Sequence, residues 1–177
     1  VEYPNTLKTK ILEGVKRLPL LSVIHYEERN GIFVYLIIEP TDGQVEAVRS
    51  ALANDLPTHF IDRDTEGYPL DSPPMPDAYA VTKIGHDVYA EAFLRSPKHR
   101  LEAPEDKLRE KTMAYHLQRL HHEGERVLFV GGLAHLPALL EMLNQPQTEV
   151  IGRRNRRGGG RRGDRRRLGN RSGRTDG

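Results

Sequence analysis

The stretch that most constrains the fold lies at residues 126–137, RVLFVGGLAHLP. An apolar run at residues 127–130 follows a charged residue and leads directly into Gly131 and Gly132. This pattern is typical of a strand buried on both faces of a parallel sheet. The glycines permit a sharp turn and the close approach of a ligand or of a second backbone. We therefore predict a buried strand that ends at this glycine pair.

His135 follows the predicted strand, at the start of a helix predicted over residues 136–144. Ligands of open α/β sheets bind beyond the carboxyl ends of the strands. A neutral imidazole in that position can bind a metal or transfer a proton. A histidine at a helix start can equally make a local hydrogen bond, and the spacing alone leaves both interpretations open. His135 is the first candidate for a functional residue.

Apolar periodicity and turn signals predict the other elements. The Asn30-Gly31 pair is typical of a hairpin turn because both residues accept positive φ. In the third predicted helix the apolar anchors are Ile84, Val88 and Phe93. The predicted elements are helices at residues 5–17, 42–54, 77–94 and 104–122, a hairpin at 20–38 and a short strand at 58–61. This order predicts an α/β fold, with a mixed, largely parallel sheet flanked by helices and one β-hairpin.

The charge of the chain is divided between two regions. Residues 152–177 contain 11 Arg, 2 Asp and no Lys, a net charge of +9. Because the whole chain has 27 basic and 25 acidic residues, residues 1–151 keep 16 basic and 23 acidic ones, a net charge of −7. We predict an acidic domain at 1–151, and a disordered tail at 152–177 because one leucine cannot bury enough surface to offset chain entropy.

The Arg/Gly-rich tail has two interpretations. It can be an arm that binds nucleic acid through phosphate contacts and stacking. It can also be a reading-frame artefact, since Lys-free Arg-Gly sequence is typical of GC-rich coding sequence translated in the wrong frame. Nucleic acid is a predicted partner only under the first interpretation.

The composition limits the class of protein. The chain has no Cys, which excludes disulfides and thiolate metal sites and is typical of a reducing compartment, so we predict a cytoplasmic protein. No apolar stretch approaches the ~18–20 residues of a membrane span. The chain begins with Val, inside what resembles a strand end at residues 1–4, and we predict a fragment without its N-terminus. The sequence does not indicate the oligomeric state.

Further candidates carry charge. Asp62 and Asp64 follow the short predicted strand, and paired carboxylates there suit a hard metal or a base. A turn in which Arg63 makes an ion pair is the favoured interpretation for that segment. Glu2 can face the same carboxyl edge of the predicted sheet or be an exposed terminal residue. Arg109 can hold a carboxylate or an anion bidentately, although a solvated helix face is the commoner outcome.

The other histidines do not suggest a metal site. His121 and His122 are adjacent on a predicted helix and point about 100° apart, so they do not converge. His116 is five residues from His121, which is also poor geometry for shared ligation. His25 and His86 stand alone, and we interpret them as structural.

Two of these segments together resemble a known family. The pairing of R-E-K-T-M-A at residues 109–114 with V-L-F-V-G-G-L-A-H-L-P at residues 127–137 resembles the TraB/PrgY proteins, which are related to the Tiki-type proteases and the erythromycin-esterase/ChaN-like group. In that group an E-R-x-x-x-M helix precedes a strand that ends in G-x-x-H. Residues 132–135 match G-x-x-H, and Arg109 and Met113 match the helix.

The resemblance has one further match and two departures. Glu2, in V-E-Y-P, is similar to the hydrophobic-Glu strand end of the family. Leu108 stands where the family pattern often has Glu. The family also carries a second, N-terminal G-x-x-H that this sequence lacks, so we predict that the chain holds half of a site and is inactive as given.

What the resemblance implies is a metal-dependent hydrolase or peptidase-like domain acting on a small molecule or a peptide. It implies a divalent metal ion, with His135 and Glu2 as metal ligands or bases. Arg109 would stabilise an anion, and Gly132 would contribute to cofactor binding. The alternatives are a non-catalytic ligand-binding or regulatory domain that uses the same cleft, and nucleic-acid binding through the tail.

Overall fold

The structure is a computed structural model that describes residues 1–28, 31–67, 77–95, 101, 103–124 and 126–150. The α-helices and strands of this part of the chain are α1 (Lys8–Val15), β1 (Ser22–Glu27), β2 (Phe33–Ile38), α2 (Gly43–Ala53), α3 (Val81–Ile84), α4 (His86–Leu94), α5 (Pro104–His122) and α6 (Leu136–Leu143). Short 3₁₀ turns precede α1, α3 and α6, at Asn5–Leu7, Ala78–Ala80 and Leu133–His135.

The first core forms between α1, the hairpin and α2. Helical spacing places Leu7, Ile11 and Val15 on one face, and all three are buried. Asp42 begins α2 by accepting hydrogen bonds from two backbone N–H groups of the first turn, as an N-cap aspartate does. The buried members of this core are Tyr3, Leu7, Ile11, Val15, Ile24, Ile38, Val45, Val48 and Phe60.

The predicted hairpin is confirmed, with β1 and β2 paired antiparallel from Ser22↔Ile38 to Glu27↔Phe33. Gly31 has a φ of +82°, the left-handed conformation for which glycine is suited. The inner face of the hairpin packs against α1, where Ile24 and Ile38 are buried. Alternation along each strand directs the other face outward.

Two predicted helices differ in detail. The helix predicted at 104–122 is confirmed as α5, with Pro104 in its first turn and Gly124, at a φ of +86°, just beyond its end. The helix predicted at 77–94 is broken at Gly85, whose φ of +79° separates α3 from α4. Ile84 is 45 % exposed and lies before the break. Val88 is 53 % exposed because it is five residues from buried Phe93, which places it about 140° away around α4.

A second core lies between α5 and α6. The face of α5 that it uses carries Met113, Leu117 and Leu120, spaced three and four residues apart. Together with Ile61, Ala114 and Leu139 these residues form a separate buried cluster. The same face continues toward the start of α5 as charged residues, which places those charges beside the second core.

The predicted mixed, largely parallel sheet is wrong for the described residues. Their regular sheet is the two-stranded antiparallel hairpin, and helices predominate. The run at residues 127–130 forms no ladder, and Val127 and Leu128 are 42 % and 85 % exposed, although Phe129 packs against the second core. An apolar run of this kind is fully buried only inside a sheet, and the described residues form no such sheet around it.

The predicted disordered tail at 152–177 lies outside the described residues. Within the described part of the chain, no helix combines the length and the apolar character needed to cross a membrane.

We expect the contact between α1 and β2 to be sensitive to side-chain volume. A Cβ on Gly14 would lie 3.0 Å from Ile38 Cγ1, so Gly14→Val overpacks this core and costs about 1–3 kcal/mol. Gly43→Val is the matched control, because Gly43 also lies in a helix but a Cβ added there would meet no atom within 4 Å. Urea unfolding measures the free energy of unfolding of both variants. An equal loss in the two would contradict the close contact between α1 and β2.

Candidate functional site: a buried cluster of charged residues

Three extended segments converge beside the first half of α5. The Glu2 amide donates to Val130 O at 3.2 Å, which joins the N-terminal segment to residues 126–131. On its other side, the Asp62 amide donates to Tyr3 O at 3.1 Å. These bonds, with an isolated parallel bridge between Pro4 and Asp62, place both acidic side chains over α5. The backbone thus brings residues distant in sequence to one position.

Arg109 lies at the centre of this position. Its Nη2 donates to Glu2 Oε1 at 2.7 Å and to Asp62 Oδ2 at 2.9 Å. Its Nε lies 3.2 Å from both Asp62 oxygens, and its Nη1 donates to Asp106 Oδ1 at 2.9 Å. The Arg109 side chain is 9 % exposed. One planar guanidinium therefore serves three carboxylates from three parts of the chain.

His135 connects Glu2 to a further carboxylate. Its Nδ1 lies 3.1 Å from Glu110 Oε1, and its Nε2 lies 3.2 Å from Glu2 Oε1. Burial lowers the pKa of His135, but the hydrogen bonds to Glu110 and Glu2 outweigh that effect and raise the pKa to about 9. The imidazole is therefore protonated at neutral pH and completes what we call the charge cluster: Glu2, Asp62, Asp106, Arg109, Glu110 and His135.

Glu2 is held on every side. Its Oε2 accepts a hydrogen bond from the Gly132 amide, while Oε1 faces Arg109 and His135. A Cβ on Gly131 would lie 2.9 Å from Glu2 Oε2, so the glycine pair permits the close approach of this carboxylate. Burial raises the pKa of Glu2. Its hydrogen bonds and the nearby positive charges lower the pKa by more than burial raises it, so the net shift is downward.

Asp62 differs from Glu2 in its electrostatics. Burial raises the pKa of Asp62, and the hydrogen bonds and charge of Arg109 only partly offset this effect. The negative charge of Glu2 raises it as well. The two carboxyl groups that share Arg109 Nη2 thus have pKa values shifted in opposite directions. Shifts of this kind are typical of functional sites and also occur in structural ion networks.

The structure brings together the residues that the sequence singled out most strongly. Arg109, Gly132 and His135 each bind the carboxylate of Glu2. Asp62 joins them through its ion pair with Arg109. The features expected of its segment are also present, since the Arg63 amide donates to Asp62 Oδ1 at 2.7 Å and the Arg63 side chain pairs with Glu105 at 3.9 Å.

Asp106 and Glu110 were not among the sequence candidates. Both are buried, with Glu110 only 1 % exposed. Asp106 lies seven residues before Met113 and Glu110 lies three residues before it, so both are on the same face of α5 as Met113. A charged residue in phase with an apolar stripe is the signal that identifies them, because such a residue must be paired when the stripe is buried.

Among the described residues no group of three His, Asp or Glu side chains is arranged to hold a metal ion. His121 and His122 line part of a surface cavity. This cavity, of ≈ 440 Å³, lies between the second half of α5 and residues 143–147. It is lined in part by Tyr115, Gln118, Arg119, His121 and His122. None of its lining residues belongs to the charge cluster.

The charge cluster contains two of the three protein donors that a catalytic zinc site uses. Glu2 Oε1 and His135 Nε2 are donors of suitable type, and their 3.2 Å separation is one that two ligands of a single ion can have. Catalytic zinc sites use three protein ligands, and the described residues place no third donor with these two. A metal would also have to displace the proton that His135 holds.

Comparisons with known proteins give no family for the chain. No family model matches it, and no curated protein or solved structure is significantly similar to it.

We expect Arg109→Met to destabilise the fold by about 3–5 kcal/mol, because the variant leaves buried carboxylates without a counter-charge. The matched control is Arg119→Met on the same helix, since Arg119 is 56 % exposed and pairs with Glu123 at 3.4 Å. Exposed pairs of this kind contribute about 0–1 kcal/mol. Urea unfolding at pH 7 compares the two, and a small loss in both would show that the cluster is not a stabilising unit.

The raised pKa of His135 predicts a loss of stability in alkali. Because the pKa is 6.5 unfolded and about 9 folded, its contribution is complete below pH 6.5 and is lost as the pH rises through 9. The loss is on the order of 3 kcal/mol. Glu2, with a lowered pKa, contributes stability above its unfolded pKa that is lost as the pH falls.

The measurement is the urea midpoint from pH 5 to pH 10. His135→Gln should remove most of the alkaline slope, whereas His86→Gln, whose side chain is 82 % exposed, should keep it. An alkaline slope that persists unchanged in His135→Gln would refute the assignment.

Proposed function

We propose that this chain carries half of the divalent-metal site of a TraB-like hydrolase. The observation that supports the proposal is the meeting of Glu2, Arg109 and His135. Each was selected from a separate short motif, and the residues lie 107 and 133 positions apart, counted from Glu2. Their side chains converge at 2.7 Å and 3.2 Å on a single oxygen, Glu2 Oε1.

Each side chain has a role in this proposal. His135 Nε2 and Glu2 Oε1 would hold the ion, which when bound lowers the pKa of a coordinated water and so supplies the nucleophile of hydrolysis. Glu110 holds Nδ1 of the imidazole at 3.1 Å, so that Nε2 faces Glu2. Partners of this kind orient a metal-ligating histidine. Arg109 fixes the Glu2 carboxylate and limits the negative charge of the site.

The substrate class is a small molecule or a peptide, as the family resemblance implies, and a cytoplasmic location remains part of the proposal. A complete site requires at least one donor beyond the described residues. The prediction that the chain as given is inactive therefore stands as a prediction.

Calorimetric titration with Mn²⁺ at pH 8 tests the proposal without an activity assay. We expect weak binding of one equivalent, with proton release from His135. His135→Ala should abolish this binding, and Glu110→Gln should weaken it by about 10–100-fold, because it removes the orienting carboxylate.

The control is His86→Ala, which removes an exposed histidine of α4 and should leave the titration unchanged. Equal stoichiometry and affinity in His135→Ala and the wild type would refute the proposal. An absence of binding at millimolar Mn²⁺ would do so as well.

A second candidate is non-catalytic binding of a small ligand. It is favoured by the ≈ 440 Å³ cavity beside α5, a volume within the range of about 300–1,000 Å³ for ligand sites. The cavity lies away from the charge cluster, so this candidate does not use the same cleft as the hydrolase. Ligand binding there would be insensitive to His135→Ala and sensitive to Arg119→Ala.

Nucleic-acid binding through residues 152–177 also stays a proposal, because those residues lie outside the described part of the chain. Its support is compositional, from 11 Arg in that segment. Binding of this type falls steeply with salt concentration.

A further inference from the structure

The outward face of the hairpin is apolar and exposed. Val23 on β1 and Phe33, Tyr35 and Ile37 on β2 are 56 %, 55 %, 66 % and 50 % exposed. Leu21 precedes β1 in the same alternation and is 62 % exposed. We call these five residues the outer hairpin face. They lie on the opposite side of the hairpin from Ile24 and Ile38, which α1 covers.

The strand register makes this face continuous. Val23 lies opposite Ile37, and the next outward pair is His25 and Tyr35, with ring centroids 6.4 Å apart. Glu27 and Phe33 form the last outward pair, next to the turn. All three outward β2 residues are therefore apolar, and the polar residues of the face lie on β1, toward the turn.

The exposed apolar area of the face is roughly 500 Å², if a fully exposed large side chain is taken as about 150–250 Å². That area is near the upper end for the largest patch of a monomer, about 300–600 Å². The outer hairpin face therefore has the properties of a surface that is covered in the functional protein.

We propose that a second copy of this chain covers the outer hairpin face, so that two hairpins pack face to face about a two-fold axis. Interfaces are about 57–65 % apolar, so roughly 500 Å² of apolar surface corresponds to roughly 800 Å² in total on each partner. That is the size of a standard stable interface. A two-fold axis requires one self-complementary patch, and a flat apolar face meets that requirement.

The chemistry of the face disfavours the Arg/Gly segment of this same chain as its occupant. Residues 152–177 contain 11 Arg and a single leucine, Leu168. Such a segment cannot supply the apolar surface that the face would lose to water. Glu27 is the one carboxylate among the outward residues of β1 and β2, so the charge of this side of the hairpin does not favour an arginine-rich segment. The apolar surface matches another apolar surface of the same size, such as the face of a second copy.

A pair of matched double variants tests the proposal by sedimentation velocity from about 1 to 100 µM. Val23→Lys with Tyr35→Glu places charges on the face. Val88→Lys with Tyr79→Glu makes the same replacements on α4 and on the 3₁₀ turn before α3, at residues 53 % and 62 % exposed. We expect a wild-type dimer, a dissociation constant raised at least about 30-fold by the face variant, and a control within about twofold of wild type.

Disulfide cross-linking gives a second measurement that does not depend on charged substitutions. The chain has no Cys, so one introduced thiol reports a single position. Tyr35→Cys lies centrally on the outer hairpin face and should form a covalent dimer on mild oxidation, whereas Tyr79→Cys should stay monomeric.

Several outcomes would overturn the proposal. They are a wild-type monomer at 100 µM, equal weakening in both double variants, and equal cross-linking of Tyr35→Cys and Tyr79→Cys. Wild-type protein that stays monomeric and binds vesicles of zwitterionic lipid through Tyr35 would assign the face to a membrane surface instead.

Discussion

The arrangement of this protein depends on the compensation of buried carboxylates by Arg109. Glu2, Asp62 and Asp106 approach one guanidinium within 3.2 Å. A buried ion is stable only when its partners satisfy both its charge and its hydrogen bonds. Each carboxylate comes from a different segment, so the ion network holds the N-terminal segment and the segment at Asp62 against α5. Backbone hydrogen bonds join these segments to one another, and the ion network fixes them against α5.

The same interactions restrict the chemistry that His135 can perform. Both ring nitrogens face carboxylates, Glu110 on one side and Glu2 on the other, so a proton is the ion that this arrangement holds at neutral pH. A divalent metal would compete with that proton and with Arg109 for Glu2. Metal binding, proton release and the stability of the fold are therefore linked in one set of side chains.

Local signals predicted local structure well. The helix predicted at 104–122 has the bounds of α5, and the Asn30-Gly31 pair predicted the hairpin. Burial was harder to predict, since Leu128 has the sequence of a core strand and yet is 85 % exposed. Whether an extended run is buried depends on which segments lie beside it, and a single sequence does not contain that information. The role of Asp62 was missed for the same reason, because its partner lies 47 residues away.

The most direct test of the charge cluster is the protonation state of His135, observed by long-range ¹H–¹⁵N correlation NMR at pH 7. The ring signals that are missing from the spectrum of His135→Gln are assigned to His135. Two carboxylate partners and a pKa of about 9 predict an imidazolium with both ring nitrogens protonated, and Glu110→Gln should restore titration nearer neutral pH. A neutral imidazole at pH 7 in the wild-type protein, with one unprotonated nitrogen, would contradict the paired-charge account.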